Sequence, residues 1–263
     1  EIKECDWSSD VCSSDLEMID ALDITWRLGS AAVALDTGTR AVTLADGSTV
    51  PYDGLIIATG GDARTLPNVP MVEGVHTLRT KADADALKAG LSVGTRFVVI
   101  GAGFIGLEAA ATAKQLGAEV TVLEGAPAPL IRGLGAEMGT AIASIHERNG
   151  VHISCGVAID GIEQVDGRVT AVRLGDGTSI GADVVLVGIG VTPVVAWLQG
   201  SGLTLNDGVV CDANLNAGVP GVYAAGDLLR WPNELFAHVE PVMRVEHWTN
   251  AAEQGSVAAQ NLL

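Results

Sequence analysis

The chain has 263 residues, 48% hydrophobic and 18% charged, a composition that can bury a core and that excludes an intrinsically disordered protein. Fifteen basic against thirty-two acidic side chains give a formal charge of −17, and no basic block reverses it, which argues against a nucleic-acid or anionic-membrane partner. No uninterrupted apolar stretch reaches the length of a spanning helix, and no basic segment followed by an apolar run opens the chain, so a cytoplasmic enzyme is the expectation.

Residues 1–16, EIKECDWSSDVCSSDL, have no apolar period and no turn logic, unlike the Ala-, Gly- and Val-rich text that follows. Back-translated, residues 6–16 can be written as a common short-read sequencing adapter, and residues 1–5 as the index region before it. The expectation is a non-native segment that takes no part in the fold. Without it the charge is −13, from 27 acidic and 14 basic residues. Cys5 and Cys12 also go, leaving Cys155 and Cys211 with no CxxC and no metal-ligand spacing. Redox chemistry, if present, must then come from a cofactor.

Residues 40–60, RAVTLADGSTVPYDGLIIATG, read as a hairpin turned at Asp46-Gly47 and a buried strand that closes at Ala58, Thr59 and Gly60. Residues 96–124, RFVVIGAGFIGLEAAATAKQLGAEVTVLE, carry the strongest signal. Phe97 to Ile100 is the β-branched apolar run of a buried parallel strand. It stops at Gly101, and Gly101, Gly103 and Gly106 supply a GxGxxG turn, with Phe104 and Ile105 inside it. The first glycine permits the tight turn, the second lets a pyrophosphate approach, and the third lets the helix pack on the strand. That helix, expected over residues 104–116 with Gly117 as its stop, offers its N-terminal N–H groups to phosphate. A second strand ends in Glu124, placed to accept hydrogen bonds from an adenosine ribose, so NADH is favoured over NADPH, although Arg132 could reach a 2′-phosphate. Glu108, two positions past the last glycine, is either a solvated helical carboxylate or a group beside the nicotinamide.

Residues 170–190, TAVRLGDGTSIGADVVLVGIG, align with residues 40–60 without a gap at an offset of 130, ending at Gly190. Such self-similarity predicts two related nucleotide-binding units. The same offset places the first copy's glycine loop at about −29, so the first unit is expected to lack its phosphate-binding half, as a truncated reading frame would give. Further on, GVYAAGD at residues 221–227 reads as a buried strand with Asp227 at its C-terminal end, either a helix cap or a ligand group. RVEHWTNAAEQG at residues 244–255 places Glu246, His247 and Trp248 at the start of an Ala-rich helix, where they either face a flat anionic cofactor or form an ordinary cap with a core Trp.

Together these segments resemble the FAD-dependent pyridine-nucleotide reductases, most closely the ferredoxin-NAD(+) reductase branch that serves oxygenases and cytochromes P450. The resemblance runs over residues 17–263. It implies an α/β fold of two interleaved Rossmann-like domains: a partial FAD domain at 17–92 and 205–263, an NAD domain at 93–204, and no C-terminal interface domain. It implies that Asp227 bonds the ribityl or pyrophosphate region of FAD and that Val245 and Trp248 lie against the isoalloxazine. Arg79 resembles the arginine that touches the flavin from the domain junction, Ala32 a backbone contact to adenine, and Glu108 a group near the nicotinamide. Implied partners are NADH and a ferredoxin-type [2Fe-2S] protein, with which the acidic balance sits awkwardly. An NADH oxidase or disulfide reductase of the same fold, and a noncatalytic fragment holding at most NAD, stay open; a paired-cysteine motif is not visible in residues 17–60.

Overall fold

The structure is a computed structural model that describes residues 22–263; the adapter-like segment at 1–16 lies outside the described residues. The chain divides into two compact units, one made of residues up to Gly61 together with Pro193–Leu263, the other of Asp62–Thr192. It passes between them through the strands Gly61–Ala63 and Val191–Pro193, which pair with each other.

The inserted unit is built on a five-stranded parallel sheet in the order Val75–His76, Val184–Val187, Arg96–Ile100, Glu119–Glu124, His152–Cys155. Its central strands are buried on both faces, and their side chains divide by parity between two cores, as the period of two demands. Phe97, Val99, Val184 and Leu186 pack with Leu107, Ala110 and Ala113 of the helix Phe104–Gln115 and with Leu87 of the helix Lys81–Gly90. Val98, Ile100, Val185 and Val187 face the other way, onto Val169, Val172 and Leu174 of an antiparallel sheet made of Ile159–Val165, Arg168–Leu174 and Ser179–Gly181. A third helix, Ile131–Arg148, breaks at Gly135, whose φ is +79°. The unit takes in residues 62–92, ahead of residue 93, where sequence places the start of the NAD domain: Val75–His76 pairs with Val185 and Leu186.

The other unit repeats part of this plan. An antiparallel sheet of Ala32–Asp36, Ala41–Leu44 and Thr49–Pro51 leads into Leu55–Ile57, which pairs in parallel with Val222–Ala224. The two Asp-Gly hairpins close alike. Asp46 Oδ1 accepts from the Ser48 amide at 2.9 Å and hydroxyl at 2.6 Å, and Asp176 Oδ1 from the Thr178 amide at 2.9 Å and hydroxyl at 2.7 Å. These bonds hold both carboxyls below the usual carboxylate range, the side-chain hydroxyl contributing most. Leu35, Ile57, Val222, Ala224, Leu228 and Leu229 form the core with Ala258 of the helix Trp248–Leu262.

Each unit ties its own ends. In the inserted unit the Arg64 amide donates to Gly190 O at 2.9 Å; in the other, the Val194 amide donates to Gly60 O at 3.0 Å. Among the described residues no helix is long and apolar enough to cross a membrane.

Candidate dinucleotide and flavin sites

In the inserted unit the strand Arg96–Ile100 delivers the chain into Gly101, whose amide donates to Leu123 O at 2.8 Å and whose φ is +105°. A Cβ there would stand 2.4 Å from Gly188 O, so this turn admits only glycine. A Cβ on Gly106 would stand 2.1 Å from Gly101 O, which is the close helix-to-strand approach expected of the third glycine. Gly103 differs: a Cβ would meet nothing within 4 Å. The space over the middle of the loop is open. Gly103 caps the helix Phe104–Gln115 without any side-chain cap bond, so the first-turn N–H groups face that space uncapped. A diphosphate fits such a cradle. Phe104 and Ile105 are exposed beside it.

Glu124 ends the next strand and lies within the loop's reach. Its Oε2 accepts from the Ala102 amide at 2.7 Å and its Oε1 from the Ala126 amide at 2.8 Å. Ala102 O in turn accepts from the Leu130 amide at 3.0 Å, so the loop is held through both ends of one buried residue. Glu108 is exposed and lines a groove of about 320 Å³ with Phe104, Leu107, Ala111, Leu130, Ile142 and His146, between the helices Phe104–Gln115 and Ile131–Arg148. Gly190, φ +99°, follows the strand Val184–Val187 and is exposed. Arg79 also belongs to this unit; its amide donates to Asp83 Oδ2 at 3.0 Å, the carboxylate that closes the capping box of Lys81–Gly90.

The remaining candidates belong to the other unit. Thr59, exposed between exposed Ala58 and half-buried Gly60, donates its hydroxyl to Val194 O at 2.7 Å. Asp227 follows the strand Val222–Ala224 through Gly226, and its carbonyl accepts from Arg244 Nη1 at 3.0 Å. Arg244 also pairs with Asp207 and Glu246. His247 caps the helix Trp248–Leu262, its Nδ1 accepting from the Thr249 amide at 3.3 Å. Trp248 is 75% exposed, so it is not a core Trp. Val245 is half-buried, its carbonyl accepting from Asn250 Nδ2 at 3.1 Å; Ala32 is half-buried in the strand Ala32–Asp36. In this unit the described residues hold no glycine loop at a strand-to-helix turn.

Sequence reasoning missed the groups that fix these segments. Gln254, buried, accepts from the Gly226 amide at 2.9 Å and donates to Asn250 Oδ1 at 3.4 Å, joining the Gly226 turn to Val245. The i, i+4 spacing of Asn250 and Gln254 on one helix face was the available signal. Gly188, whose carbonyl packs against Gly101, was signalled only by the GIG string before Val191.

The description of the pyridine nucleotide-disulphide oxidoreductase family matches residues 8–255, beginning inside the segment set aside as non-native. The chain belongs to that family. Among pyridine nucleotide-disulphide oxidoreductases it is 40% identical over 252 residues to the anthranilate 1,2-dioxygenase system ferredoxin-NAD(+) reductase component of Burkholderia cepacia, covering 95% of this chain and 61% of the relative. The ferredoxin reductase for the CYP199A2 system from Rhodopseudomonas palustris superposes with a TM-score of 0.84 at 35% identity, over 90% of this chain and 58% of that one. A NAD-dependent persulfide reductase from A. fulgidus gives 0.85 at 25% identity, over 95% and 46%. The chain spans 61% and 56% of the length of two curated relatives, the Burkholderia cepacia component and the rhodocoxin reductase of Rhodococcus erythropolis.

Proposed function

We propose that this chain is the nucleotide-binding part of an FAD-dependent oxidoreductase that takes electrons from NADH and passes them to a ferredoxin-type [2Fe-2S] protein of an oxygenase or P450 system. The observation that carries it is the 40% identity over 252 residues to a dioxygenase reductase component, supported by a glycine loop that is tight at Gly101 and Gly106 and open at Gly103. Gly101, Gly103, Phe104, Ile105 and Gly106 would hold the NADH diphosphate, Glu124 the adenosine ribose, and Glu108 and Gly190 would stand toward the nicotinamide. Ala32, Ala58, Thr59, Gly60, Arg79 and Asp227, with the segment from Val245 to Trp248, would hold the flavin. In domain terms, 93–204 serves NAD and 17–92 with 205–263 serves FAD. When bound, FAD converts the two-electron donor into single electrons; the protein supplies orientation and electrostatics, and no side chain need act as a nucleophile or general acid.

The persulfide reductase likeness favours a second reading, a thiol-linked reductase of the same fold. The cysteines of the described residues do not support it. Burial pushes the Cys211 thiol up to about 12 and raises that of Cys155, so neither is a ready thiolate at neutral pH. The test is NADH oxidation by the flavin-loaded protein with a [2Fe-2S] ferredoxin, oxygen, a disulfide and a persulfide offered in turn. Fast turnover with ferredoxin is expected; turnover only with a sulfur acceptor overturns the assignment. A chain that binds NADH and shows no visible flavin band after reconstitution is the noncatalytic alternative.

A further inference from the structure

Glu124 sits where an acid selects NADH by bonding the ribose, yet its two oxygens are already engaged. Oε2 takes the Ala102 amide at 2.7 Å and Oε1 the Ala126 amide at 2.8 Å. Ala102 is the residue between the first two glycines and is fully buried, so its N–H has no water to fall back on. The carboxylate therefore staples the glycine loop to the segment that leaves the strand Glu119–Glu124. The same loop residue is held from its other end by Leu130, which returns from that segment.

We propose that Glu124 is a positioning residue for the diphosphate cradle, and that removing its charge disables the site for both dinucleotides instead of converting it to NADPH. The inference rests on the NADH reading of the loop and deepens it. A carboxylate presents two acceptor oxygens to two amides; a glutamine presents one acceptor and one donor, so one of the two N–H groups would face another donor. An aspartate keeps the charge and falls short by one methylene. Were ribose bonding the whole of the residue's role, Glu124→Gln would relieve like-charge repulsion against a 2′-phosphate and gain NADPH. With the staple, the loop loses its hold before any ribose arrives.

The test uses the full chain with Glu124→Gln and Glu124→Asp, both checked for folding by circular dichroism. Amide exchange is measured without ligand, and NADH and NADPH binding by fluorescence titration. Exchange at Ala102 is expected to rise at least about tenfold in both variants, while amides of the helix Lys81–Gly90 stay unchanged. NADH binding should weaken by a factor on the order of ten or more, and NADPH should bind no more tightly than it binds the unaltered chain; tenfold is about 1.4 kcal/mol. Unchanged exchange at Ala102, or a gain of NADPH binding in Glu124→Gln, overturns the proposal. If the unaltered chain binds neither dinucleotide, the NADH reading falls with the cofactor half of the inference, and the exchange result decides the staple by itself.

Discussion

The three glycines of the loop should separate cleanly by substitution, because their surroundings differ. Gly106→Ala puts a methyl 2.1 Å from Gly101 O and 3.2 Å from Val99 Cγ1, so backbone must move. Overpacking of this kind costs about 1–3 kcal/mol, and a lowered thermal midpoint with lost NADH binding is expected. Gly103→Ala meets nothing in the protein and should leave the midpoint unchanged while weakening NADH, since the methyl enters the space a diphosphate would occupy. Equal midpoint losses in the two variants would show that the cradle is not open at Gly103. The Asp183 carboxylate makes a pH statement at the same scale. Its bonds to the Arg96 side chain first, and to the Arg96 amide, hold it below the usual carboxylate range. A depressed folded pKa stabilises above the unfolded value of about 3.9, and that stabilisation fades as pH falls through the lower folded value. The side chains are 47% and 41% exposed, so screening limits the pair to about 1 kcal/mol or less. Asp183→Asn should flatten the acid limb of a urea-midpoint curve below about pH 5; a limb of unchanged slope removes Asp183 from it.

At the scale of elements, the helix Trp248–Leu262 is fastened to the Gly226 turn by one amide, and this makes a sharp expectation. Gln254 is 5% exposed and accepts from the Gly226 amide at 2.9 Å. Gln254→Leu keeps the side-chain volume and leaves the half-buried Gly226 N–H without its partner, which costs about 1 kcal/mol. Chemical denaturation should show that loss. Flavin reconstitution should weaken with it, because the turn carries Asp227. Much of the element plan was legible in sequence for physical reasons. The run from Phe97 to Ile100 is β-branched because both faces are buried, and the Asp-Gly turns announce themselves through residues that accept positive φ, +82° at Gly47 and +86° at Gly177. Other features could not be read. Val75–His76 is a two-residue strand, too short to show a period, and it joins the inserted unit's sheet. The break at Gly135 falls inside a helix whose apolar spacing continues across it. Arg96 and Asp183 are 87 positions apart, and Glu124 meets Ala102 only through the fold.

For the molecule as a whole, the charge of −17 keeps its sign when residues 1–16 are set aside, so self-repulsion is part of its stability. Adding salt from low to moderate ionic strength should raise the unfolding midpoint, since the Debye length shortens to about 10 Å at 0.1 M. A midpoint that falls would mean that attractive ion pairs such as Arg230 with Glu240 outweigh the net repulsion. The repeat visible in sequence at an offset of 130 returns as two matching hairpins, each followed by a strand in a parallel pairing, one in each unit. The tied ends give the two units a further property. Residues 64 and 190 share a backbone hydrogen bond within the insert, and residues 60 and 194 share one within its host. The insert is therefore a cassette whose terminal residues are already neighbours, and the host is a chain whose gap is already bridged. Cutting out 62–192 and closing the host with a few glycines would replace a long loop by a short one, which lowers closure entropy and strains neither side.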